Sequence, residues 1–66
     1  MNNSIKMHRA QKGVTQQVLA EVIGVSRQSI VAIEQGKYVP STVLALKMAR
    51  YFETQIEKLF ELEVDE

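Results

Sequence analysis

The stretch QQVLAEVIGVSRQSIVAIEQ, residues 16–35, decides how this chain folds. Two segments of helical periodicity, 16–23 and 27–35, are separated by Gly24-Val25-Ser26, and a hydroxyl residue precedes each, Thr15 and Ser26. Such hydroxyls accept hydrogen bonds from first-turn amides that have no partner within the helix. Glycine ends a helix at low steric cost because it adopts the left-handed conformation. The spacing therefore predicts two short helices joined by a tight turn. Ala20 is small because the helices cross closely there. Ile30 and Ile33 pack the second helix onto the first, and Leu19, Ile23 and Val25 supply the remaining apolar positions.

A pair joined in this way is the helix-turn-helix pattern, whose second helix is presented to the DNA major groove. At about 100° per residue, Ser29, Ile30 and Ile33 gather on one face of that helix, the core side. Arg27, Gln28, Val31 and Ala32 gather on the other. Two long hydrogen-bonding side chains followed by two small apolar groups suit base edges. Arginine pairs bidentately with guanine, glutamine with adenine, and small apolar groups meet the thymine methyl.

Outward from this unit, further punctuation divides the chain. Residues 5–12 put Ile5, His8 and Arg9 on one helical face, stopped by Gly13. Tyr38-Val39-Pro40 reads as extended, since the residue before proline avoids the helical region. Ser41 caps a helix over 42–52, and Thr54 caps a short one over about 55–60. From Phe60 to Asp65 apolar and acidic residues alternate, which fits either a short strand or a frayed helix end. A strand here has two possible partners, the segment Asn2–Ser4 or the other subunit of a dimer. Phe60, Leu62 and Val64 are expected to lay one apolar edge on the domain.

Sixty-six residues make one domain, 1–66, with the helix-turn-helix at 16–35. A chain of this size buries only about 60% of its unfolded surface, so its core is marginal alone. With no cysteine and one histidine, neither a disulfide nor an ordinary zinc site can help. No apolar run approaches the roughly 18–20 residues of a membrane span, and no signal-peptide pattern opens the chain, so a cytoplasmic protein is expected. The net charge of zero conceals a polarity. Residues 1–50 carry seven cations against two anions, +5, whereas residues 51–66 carry one cation against six anions, −5. A basic body suits a polyanion, and the acidic end is expected to lie away from it.

The residues Gly13-Val14-Thr15-Gln16, Leu19-Ala20, Gly24 to Ile30, Ile33 to Lys37 and Pro40-Ser41 resemble the Cro/repressor-type, or Xre-like, helix-turn-helix family over about residues 5–60. The resemblance implies a mainly α, compact five-helix, lambda-repressor-like DNA-binding domain. It implies that Arg27 and Gln28 read bases, with Val31 and Ala32 beside them. It implies phosphate contacts at Gln16 and Lys37, with Tyr38 and Ser41 as further candidates. Arg9 and Glu34 match a pair that forms an internal salt bridge in several members. Three positions depart from the family. Val31 stands where many members carry a polar base-contacting residue. His8 stands where leucine is common and is expected to be partly buried. Thr42 replaces a common apolar residue.

The helix over 42–52 is apolar on nearly all sides. Its core-facing set is expected to be Ala45, Leu46, Ala49 and Phe52, with Met48 at the edge. Leu44, Met48 and Tyr51, extended by Ile56, Leu59 and Phe60, are then the expected homodimer interface, in a region from about residue 44 to 66. A monomer this small should not leave such a patch wet. The expected function is a dimeric repressor that reads a two-fold site in double-stranded DNA. It needs no cofactor, metal or small-molecule ligand. The competing reading is an antitoxin-like module that masks a partner protein, whose signature, a disordered extension, is lacking. An enzyme is the poorest reading, with no nucleophile–base pair, metal cluster or phosphate-cradling loop.

Overall fold

Three helices begin at side-chain caps. In the computed structural model, which describes residues 1–66, Thr15, Ser26 and Ser41 accept hydrogen bonds from the backbone amides of Val18, Ser29 and Leu44 at 3.1–3.2 Å. These caps open α2 (Gln16–Ile23), α3 (Arg27–Glu34) and α4 (Thr42–Tyr51). Before them lie β1 (Asn2–Asn3) and α1 (Ile5–Lys12); after them come α5 (Ile56–Leu59) and β2 (Phe60–Glu61). The expected mainly helical, five-helix architecture is present. At the turn between α2 and α3, Gly24 has φ +87°, and its amide and that of Val25 both donate to the Ala20 carbonyl. The Ala20 carbonyl thus accepts two bonds while the chain reverses.

The core joins all five helices. Ile5 comes from α1, Leu19, Ala20 and Ile23 from α2, and Ile30 and Ile33 from α3. Met48 and Ala49 of α4 and Leu59 of α5 complete it. The radius of gyration, 10.9 Å, matches the roughly 11 Å expected of a folded domain of this length. His8 is half-buried: its Nδ1 donates to the Ser4 carbonyl at 2.9 Å, and its ring lies 5.6 Å from that of Phe52.

Several expectations are corrected. The rotation of α4 differs from that expected: Leu46 is 56% exposed and Met48 wholly buried. Ala45, Met48, Ala49 and Phe52 share one face, whereas Leu46 lies about 100° beyond Ala45 on the side away from Met48. An all-round apolar helix offers more than one candidate core arc, and the flexible Met48 fills the centre. Met48 and Leu59 are therefore core residues of the chain itself, unavailable to a partner. Leu44, Tyr51, Ile56 and Phe60 are half-buried against the same core. The residues left exposed on this side are Val43 and Leu46.

The start of α5 is corrected too. Its cap position is Gln55, not Thr54, and no side chain caps it. Instead, Glu53 takes a left-handed φ of 54°, and the amides of Glu53 and Thr54 return to the carbonyls of Arg50 and Ala49. The tail forms only a two-residue strand, paired antiparallel with β1: Asn2 opposes Glu61, and Asn3 opposes Phe60. The strand's partner is thus the chain's own N-terminal segment. Leu62 and Val64 do not pack on the domain; both are exposed, and the chain turns at Val64 and Asp65. So short a pair offers no apolar face for them to cover.

Candidate nucleic-acid interface

The geometry of α3 follows from its buried side. Ile30 and Ile33 are almost inaccessible and lock one face onto α2. Arg27 and Gln28 stand exposed at the N-terminal end of the opposite face. Val31 and Ala32, behind them, are half-buried and form a shallow apolar floor. The four residues expected to read bases thus occupy one surface. Past the turn at Gly36, Lys37, Tyr38 and Ser41 are all exposed.

Glu34, at the C-terminal end of α3, is not free. Arg9 holds it through two contacts, Nε to Oε2 at 2.5 Å and Nη2 to Oε1 at 3.1 Å. The side chains of Arg9 and Glu34 are only 14% and 8% exposed. Arg9 also donates from Nη1 to the Val14 carbonyl at 3.3 Å. The pair ties α1 to the C-terminal end of α3 and neutralises the carboxylate there.

Gln16 joins this network, a role its sequence position did not suggest. Its Nε2 donates to Glu34 Oε1 at 3.0 Å. An amide nitrogen carries two protons, so one remains for an outside acceptor. A second unforeseen residue is Asn3, whose Nδ2 donates to the Ile33 carbonyl at 2.8 Å. That bond secures the C-terminal turn of α3 to β1. No short-range pattern reports it, because the partners are thirty positions apart.

A family model described as helix-turn-helix matches residues 5–59. The chain belongs to the helix-turn-helix family. An uncharacterised helix-turn-helix-type transcriptional regulator of Methanocaldococcus jannaschii is 52% identical over 66 residues, all of both chains. One of Bacillus subtilis is 48% identical and covers 96% of each chain. Among solved structures, the restriction-modification controller protein of Aeromonas hydrophila superposes with a TM-score of 0.76 at 30% identity, over 85% of each chain. This helix-turn-helix protein is thus a DNA-binding transcriptional regulator by family. No helix in it is long and apolar enough to cross a membrane.

Proposed function

We propose that this regulator is a sequence-specific repressor that binds a two-fold operator as a homodimer, with α3 in the major groove of each half-site. The observation that carries the reading is the exposure of Arg27 and Gln28 on a helix whose other face is locked into the core. Arg27 and Gln28 read base edges; Val31 and Ala32 meet thymine methyls. Gln16, Lys37, Tyr38 and Ser41 hold phosphates and set the register. The exposed first turns of α2 and α4 add backbone amides to that role.

Dimerisation follows from what α4 leaves outside. Val43 and Leu46 are exposed, and with Ile56 of α5 they line one groove. One eight-residue helix reads few base pairs, whereas a two-fold dimer reads two half-sites about 34 Å apart. Two domains seated in successive major grooves obstruct polymerase without any further contact. The acidic tail starts from β2, whose partner strand is bonded to the C-terminal end of α3. That is the end remote from Arg27, about 9 Å along the helix from Arg27 to Ile33.

Selection from a random duplex library tests this reading. Enriched sequences are expected to contain inverted half-sites one helical turn apart. On such a duplex, about six phosphates neutralised per dimer give a log–log salt slope near −5. Failure to enrich any sequence, enrichment of a single unrepeated site, or a slope near zero would overturn it.

A further inference from the structure

The groove between α4 and α5 carries more than apolar surface. Val43, Leu46 and Ile56 line it, with Lys47 and Arg50 on the α4 bank and Glu57 on the α5 bank. Lys47 and Arg50 are exposed and form no salt bridge within the chain. No residue beyond Glu57 lines the groove, so the chain's own tail does not fill it.

The tail has the complementary chemistry. Leu62 and Val64 are exposed and rest on nothing. Glu61 and Asp65 flank them and lack cationic partners, whereas Glu63 and Glu66 face the amino group of Met1. In this chain the segment turns at Val64 and Asp65, so docking opens that turn and the contacts of Glu63 and Glu66 with Met1; once extended, it sets Leu62 and Val64 on one side and Glu61, Glu63 and Asp65 on the other. Residues 61–66 span up to about 20 Å when extended, enough to cross a subunit boundary.

We infer that the tail of one subunit, residues 61–66, docks in the α4–α5 groove of a second copy. Leu62 and Val64 enter between Val43, Leu46 and Ile56, and the long side chains of Lys47 and Arg50 reach around the docked segment to Glu61 and Asp65 on its outer edge. Glu57 repels the acidic edge from the α5 bank, which directs the carboxylates toward α4. The inference rests on the dimer reading and names what completes that interface: a reciprocal exchange of tails, which pairs the basic body of each subunit with the acidic end of the other.

Charge reversal tests it in the full chain. Lys47, Arg50, Glu61 and Asp65 are all exposed, so reversing them leaves the core untouched, and circular dichroism verifies the fold. Sedimentation equilibrium at low salt reads the dimer dissociation constant. Lys47→Glu with Arg50→Glu is expected to raise it about 30-fold, and Glu61→Lys with Asp65→Lys to a similar extent. All four together should return it to within about threefold of the parent, since opposite charges again face each other. A dimer insensitive to either reversal, or one that the fourfold variant does not restore, overturns the tail exchange and leaves the dimer reading intact. A parent chain that stays monomeric at every concentration overturns both.

Discussion

Arg9→Ala is expected to cost about 3 kcal/mol of folding stability, because it strands the Glu34 carboxylate where it is nearly buried. The loss is large for this chain. A domain of 66 residues has on the order of 3–10 kcal/mol in total. Two donors leave Glu34 together, and the Val14 carbonyl loses its contact with the guanidinium. Gln16 alone remains on the carboxylate. Replacing both partners by apolar residues of similar volume, Arg9→Met with Glu34→Leu, should recover most of the loss, because no charge is then left without a counterpart. Urea unfolding of the parent, the single variant and the double variant measures the three values. A cost below about 1 kcal/mol for Arg9→Ala would mean that the pair behaves as a surface bridge. DNA affinity of the folded fraction should fall as well, since α3 loses its tie to α1.

Arg27→Ala and Gln28→Ala should each weaken binding to the selected duplex by about 1–3 kcal/mol. Binding to unrelated duplex should change much less. Arg27 carries a charge, so its loss also lowers non-specific affinity slightly; Gln28 carries none, and its effect should fall on specificity alone. Lys37→Ala is expected to act differently. It lies exposed past the turn that ends α3, and in the proposed docking its cation meets backbone rather than base edges. Its loss should weaken specific and non-specific binding together and make the salt slope shallower by about 1. Titrations of each variant against both duplexes at several salt concentrations separate these outcomes. Unchanged ratios of specific to non-specific affinity for Arg27→Ala and Gln28→Ala would sink the base-reading assignment.

Local chemistry determined much of this molecule from sequence alone. Thr15, Ser26 and Ser41 cap the helices they were expected to cap, because capping depends on a side chain and an amide three residues on. Gly24 takes the left-handed turn that its place between two periodic segments required. The outward face of α3 was readable because Ile30 and Ile33 are its only large apolar residues on one side, leaving Arg27 and Gln28 no place but the other. The Arg9–Glu34 pair came from the family resemblance, and the geometry bears it out.

Other features were decided only by the tertiary structure. Helix α4 is apolar nearly all round, so its own periodicity could not choose between burying Leu46 and burying Met48. The space left among the buried residues of the other helices made that choice. The tail's alternation was compatible with a strand, but pairing needs a partner, and the partner is Asn2–Asn3 at the opposite end of the chain. Gln16 and Asn3 acquire their bonds to Glu34 and Ile33 in the same way, across separations of eighteen and thirty residues. Caps and turns are settled by atoms a few residues apart. Helix rotation, strand partner and the network around Glu34 depend on groups that only folding brings within hydrogen-bonding or packing distance.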